Sequence, residues 1–160
     1  MFAPTARVLK DSVSPAGKRL TTMEVTGHRF ILAEFNTHRV FSRNSASSRA
    51  IPYAKMREKT NSSQMAYPVS WPAEQKGMQG GQELDDDSIE HAMDLWDDAR
   101  DNAVMVADQL AELGVHKSVI NRLLEPFLPH TIIVSATDWQ GFFAQRLHRD
   151  AQPEIRKLAE

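Results

Sequence analysis

The chain has 160 residues, 41% hydrophobic and 25% charged, with a formal net charge of −2 and a pI near 6.3. Those values predict one globular domain over residues 1–160 with a real core, and they argue against a general nucleic-acid binder, which would carry a basic pI. No apolar run approaches the ~20 residues of a membrane span, the N-terminus lacks an export pattern, and the absence of cysteine excludes disulfides, thiolate metal sites and a cysteine nucleophile, so a cytoplasmic protein is expected.

Residues 1–18 read as polar and irregular, with Ser14-Pro15 and Gly17 marking a turn. Arg19 to Thr26 reads as a strand with Met23 and Val25 on one face, broken by Gly27-His28. Phe30 to Phe35 is an apolar run favouring helix, and residues 41–49 alternate weakly as an extended segment ended by Pro52. On such a strand Arg43, Ser45, Ser47 and Arg49 would share a face. Residues 60–84, rich in Ser, Gln, Gly and Pro, read as a long loop. A long helix follows, capped by Asp87 with Glu90 and ended by Gly114. Val115 to Leu124 predicts a second helix. Ser135 to Asp138 resembles a capping box opening a helix to about Leu147, and Asp150 opens a last one with Pro153 in its first turn. That amphipathic pattern is still running at Glu160, so a longer natural chain is expected. The fold class is α+β: a small, mostly antiparallel sheet packed by long helices.

The chemistry concentrates in residues 36–49. Three arginines, one histidine, two asparagines and five hydroxyl residues occupy these fourteen positions, with no acid, Gly or Pro. A solvated strand edge could carry basic residues, but lysine would serve there equally well and is absent. Arg39, Arg43 and Arg49 imply forked recognition of an anion, most plausibly phosphate. Arg122 and Arg146, near helix ends, are candidates for a second side of such a pocket. The six histidines show no metal-ligand spacing, and the Gly77 to Gly81 stretch lacks the strand-then-helix setting of a dinucleotide fingerprint.

The order His-Arg-x-x-Ser-x-Asn-x-x-Ser-x-Arg at His38 to Arg49 resembles the signature of the flavin-dependent thymidylate synthases. Ser14-Pro15 lies upstream at about that family's spacing. The Arg122 to Pro126 stretch is similar to its Ala-Arg-hydrophobic-hydrophobic-Leu-Pro segment. Arg146 with Ala151-Gln152-x-Glu154-Ile155 is similar to its closing segment. The resemblance implies an FAD enzyme that methylates C5 of dUMP, with carbon from methylenetetrahydrofolate and hydride from flavin reduced by NADPH. It implies a homotetramer with active sites between subunits. By the same resemblance Ser14, Thr37, His38, Arg39, Asn44 and Ser135 would serve FAD; Glu34, Ser45, Ser47, Arg49 and Arg122 would hold the nucleotide; and Arg146 would stabilise the ionised pyrimidine as the catalytic residue. Nucleic acid, membrane and metal are not expected partners.

The sequence departs from the family pattern at several positions. Thr37 replaces the signature's first Arg, Glu34 a usual Gln, Ser45 a usual Glu, Gly141 a usual Asn and Asp150 a usual His. The alternatives are therefore hydroxymethylation of dUMP or dCMP on the same fold, or a nucleotide-binding homologue without catalysis.

Overall fold

A computed structural model describes residues 2–160. Its elements are β1 (Thr5–Val13), β2 (Arg19–His28), α1 (Leu32–Asn36), β3 (Ser42–Ser45), α2 (Tyr53–Thr60), α3 (Asp86–Glu112), α4 (Lys117–Leu124), β4 (Pro129–Ala136), α5 (Gln140–Arg146) and α6 (Pro153–Ala159), with 3-10 turns at Arg29–Ile31 and Glu125–Phe127. The chain divides into two compact units, one made of Ala3–Ala46 and Pro129–Glu160, the other of Ser47–Leu128. Among the described residues no helix is long and apolar enough to cross a membrane.

The first unit is a four-stranded sheet in the order β1-β2-β4-β3, antiparallel throughout. Its two faces follow from residue alternation. Met23 and Val25 lie opposite Val134 and Ile132, and this face meets Phe35, Phe41, Phe142 and Ile155 in the core. The other face carries Thr22 opposite Ser135, their hydroxyls 2.7 Å apart, and Thr26 opposite Thr131 at 2.8 Å. Ile155 and Val134 are fully buried, and such a side chain contributes roughly 1.5–3 kcal/mol. The α+β class and the antiparallel sheet are as expected, but the helices of this unit, α1, α5 and α6, are short.

The strands β1, β2, β3 and β4 all depart in part from expectation. β1 occupies a segment read as irregular. All nine of its residues are exposed, so no apolar alternation announces it; pairing with β2 makes it a strand. β2 runs through Gly27 and His28 instead of stopping there. A Cβ on Gly27 would stand 3.1 Å from Leu158 Cδ2, so the missing side chain admits α6 against the strand. Ser135 opens no helix: it lies in β4 between β2 and β3, while Asp138 makes a local turn in which its Oδ1 accepts from the Gln140 backbone N–H at 2.8 Å. The β1–β2 turn falls at Ser14–Lys18 as expected, with Gly17 at a φ of 78° that favours glycine.

The second unit is helical. α3 spans 27 residues and packs on α4 and α2 through Val104, Ala107, Ile120, Leu124 and Met56. Its cap is Asp85, not Asp87: Asp85 Oδ1 accepts from Ser88 N at 2.8 Å, and Asp86 and Asp87 fill the first turn, where the helix dipole favours them. Asp108 fastens α2 to α3, accepting from Tyr53 Oη at 2.6 Å and from Arg57 Nε and Nη2 at 2.8 and 2.9 Å. Burial first, then that carboxylate, pushes the Tyr53 phenol up to about 12. α2 had no strong periodic signal; Pro52 stands at its N-cap and lets it begin. The 61–85 stretch is largely irregular, as its composition predicts, with one isolated bridge between Pro72 and Glu83. In the first unit, the last helix starts at Pro153 behind Gln152, later than Asp150.

Candidate active site

The strongest cluster in the first unit forms where α1 ends. Thr37 closes that helix and its Oγ1 donates back to Glu34 O at 2.6 Å. Arg146, the last residue of α5, reaches the same spot. Its Nε donates to His38 Nε2 at 2.7 Å, and its Nη2 donates to Thr37 Oγ1 at 2.9 Å and Glu34 O at 3.2 Å. A cation over the last carbonyls of a helix is in favourable electrostatic surroundings. Nη1 of Arg146 has no hydrogen-bond partner among the described residues. The guanidinium is thus fixed on two nitrogens and free on the third.

His38 is buried, with its ring edge-on to Phe142 at 5.0 Å and tilted to Phe41 at 5.7 Å. Arginine only donates, so Nε2 of His38 is an acceptor and the ring proton sits on Nδ1. Burial first, then the Arg146 and Arg43 charges, hold this imidazole below its ordinary 6.5. Thr37 gains meaning from the same geometry. An arginine there would set a second cation against Arg146, whereas the threonine hydroxyl accepts from it.

Arg43 is the second cation of the cluster. Its Nη1 donates to His38 O at 2.8 Å and Asn36 O at 3.3 Å, so it secures the turn between α1 and β3. Arg39 is exposed and has no hydrogen-bond or ion-pair partner among the described residues. Asn44 and Ser45 lie on β3 opposite Ile133 and Ile132, both exposed. Ser135, opposite Ser42, and Ser14, in the β1–β2 turn, lie toward the same end of the sheet as the start of β3. Glu34 has a buried Oε2 that meets no hydrogen-bond partner among the described residues.

The other three expected residues belong to the helical unit. β3 stops at Ser45, so Ser47 and Arg49 do not continue its face; they sit in a turn where Ser47 Oγ accepts from Arg49 N at 3.3 Å. The extended 41–49 strand is therefore corrected: β4 gives β3 only four partners, and the chain then turns. Arg49 is exposed without a side-chain partner among the described residues, while Arg122 on α4 pairs with Glu125 at 2.8 Å. Sequence reasoning missed the buried Asn121 beside Arg122, whose only signal was a polar residue on the apolar side of α4. Among the described residues no group of three or more His, Asp or Glu side chains is arranged to hold a metal ion.

Solved structures share this fold. The UMP/dUMP methylase PolB from Streptomyces cacaoi bound with 5-Br UMP matches with a TM-score of 0.76 and 14% identity, over 99% of this chain and 86% of that one. The same methylase bound with 5-Br dUMP gives 0.75 and 14%, over 99% and 87%. No curated protein matches the chain. The sequence profile described as thymidylate synthase complementing protein matches residues 11–160, which takes in both arginine-bearing segments and everything between them. The chain belongs to that family, the flavin-dependent thymidylate synthases.

Proposed function

We propose that this chain is an FAD-dependent thymidylate synthase that methylates C5 of dUMP, with methylenetetrahydrofolate as carbon donor and NADPH as the source of reducing equivalents. The observation that carries the reading is the fixing of Arg146 onto Thr37, His38 and Glu34. A guanidinium held on two nitrogens, with the third uncommitted, is preorganised to stabilise charge that develops on a pyrimidine ring. The absence of cysteine points the same way, since it removes the alternative of covalent activation through a thiolate.

The residues present suit a flavin dinucleotide. Arg39 offers an uncommitted guanidinium, Ser14 and Ser135 add neutral polar groups toward one end of the sheet, and Asn44 adds another further along β3, a donor set appropriate to a pyrophosphate. Thr37 and His38 complete the FAD set. When bound, the flavin supplies the hydride. Glu34, Ser45, Ser47, Arg49 and Arg122 are assigned to the nucleotide. The family membership and the 5-Br UMP and 5-Br dUMP bound in the structural neighbours support this substrate class. Residues 1–160 act as a single catalytic domain in a cytoplasmic homotetramer with shared active sites.

The test uses the purified full chain loaded with FAD. NADPH should bleach the visible flavin absorbance, and methylenetetrahydrofolate with dUMP should restore it while dTMP appears. A product heavier by a methylene plus an oxygen would assign hydroxymethylation. A protein that binds dUMP and never turns it over would be a binding homologue.

A further inference from the structure

The turn that carries Ser47 and Arg49 is exposed on one side and buried on the other, where Ser48 is fully covered. Ser47, Arg49 and Ala50 are exposed, and two local bonds shape the backbone: Ala50 N to Ser47 O at 2.9 Å and Ile51 N to Ser48 O at 3.3 Å. Two side chains of α4 fasten it from outside. Asn121 on α4 is fully buried, and its Nδ2 donates to Ser48 O at 2.8 Å and Ile51 O at 3.0 Å. Lys117, one turn earlier on α4, adds a bond from Nζ to Ala50 O at 3.3 Å. A carboxamide has two N–H donors, and both are spent here. The next residue on α4 is Arg122.

We infer that Asn121 is a positioning residue for nucleotide binding: it locks the Arg49 turn to α4, so that Arg49 and Arg122 present a fixed pair of cations to one phosphate. This rests on the assignment of Arg49 and Arg122 to the nucleotide. The physical need is plain. Arg49 has no side-chain partner among the described residues, so its placement depends on the backbone beneath it, and that backbone is held by an amide from the helix bearing Arg122. Misplacement of a charged group by about 1 Å can cost on the order of 100-fold. A purely structural buried amide would matter to stability alone.

The variants are Asn121→Leu, which keeps the volume without the donors, and Tyr67→Phe as a control that removes the bond to Asp97 in the same helical unit. Isothermal titration with dUMP should show Asn121→Leu weakened by about tenfold or more, with saturated turnover little changed. Tyr67→Phe should keep wild-type affinity even if it melts earlier. Wild-type affinity in a folded Asn121→Leu protein overturns the inference. Hydrogen exchange supplies a readout that needs no nucleotide: the Ala50 and Ile51 amides should exchange faster in Asn121→Leu than in Tyr67→Phe at matched stability, and equal rates overturn the inference. Should Asn121→Leu fail to fold, Lys117→Met tests the same fastening, and unchanged exchange at both amides together with unchanged dUMP affinity counts against it. If wild-type protein binds no dUMP, the nucleotide assignment fails by itself, and the exchange rates still decide whether Asn121 holds the turn.

Discussion

Arg146 and His38 are 108 residues apart in sequence, yet Nε of one donates to Nε2 of the other over 2.7 Å. The contact joins the exit of α1 to the end of α5 and makes each residue define the other. The guanidinium selects the Nδ1–H tautomer of the imidazole, and the imidazole fixes the plane of the guanidinium.

Thr37 is the cheapest part of this arrangement to remove. Thr37→Val keeps the shape but deletes the acceptor for Arg146 Nη2 and the bond to Glu34 O. Turnover should fall by roughly tenfold, the equivalent of one hydrogen bond of about 1.4 kcal/mol, while circular dichroism stays unchanged. Steady-state assays check this; unchanged kcat would remove Thr37 from the account.

His38 sets a pH dependence of definite sign. Its imidazole is held below 6.5 in the folded chain by burial and by Arg146 and Arg43. The unfolded histidine titrates near ~6.5, so below that pH the unfolded state binds more protons and stability declines. The contribution is complete above ~6.5 and is lost as pH falls through the lower folded value. Urea denaturation between about pH 7.5 and 5 should show the decline in wild type, and His38→Gln should flatten it. Arg146→Met should also reduce the slope, because one of the two repelling cations is gone.

Arg49 and Arg122 should not be equivalent. Arg49 is uncommitted, whereas Arg122 already pairs with Glu125. Arg49→Ala is expected to abolish measurable dUMP binding while leaving the melting temperature near wild type. Arg122→Ala should weaken binding by a smaller factor. Titration calorimetry on both variants gives the order, and a stronger effect at Arg122 would reverse the assignment.

Glu34 carries a buried carboxylate oxygen with no hydrogen-bond partner among the described residues. Unpaired buried polar atoms cost about 1–3 kcal/mol and persist where function needs them. Glu34→Gln removes the charge at nearly the same shape and should raise the melting temperature by a few degrees. The same change should lower turnover. A lower melting temperature would show that the carboxylate is satisfied in solution.

Much of the fold was legible where local chemistry and final structure agree. The β1–β2 turn at Ser14 and Gly17, the β2 alternation, the α3 pattern and the Gly114 stop all act within a few residues. β1 was not legible, because all nine of its residues are exposed and only its pairing with β2 defines it. β4 was hidden differently: Ser135 and Asp138 carry cap chemistry, but two flanking strands claim Ser135 first. The site divides along the same line. Thr37, His38 and Arg146 could be named from residue order, but their mutual bonds depend on long-range folding. Arg43, named with the anion-binding arginines, secures the turn after α1 through backbone carbonyls, and Asn121 carries no local signal of its bonds to the turn at 47–51, which depend on long-range folding.

We propose that Arg146, fixed by His38 and Thr37, activates the pyrimidine for the step that consumes reduced flavin. Anaerobic stopped-flow of the pre-reduced enzyme, mixed with dUMP and methylenetetrahydrofolate, measures that step directly. Wild-type flavin should reoxidise only when both substrates are present, and Arg146→Ala should retain FAD at full stoichiometry yet reoxidise at least about 100-fold more slowly. Reoxidation of Arg146→Ala at the wild-type rate, or loss of its flavin with normal turnover when FAD is added back, would contradict the account.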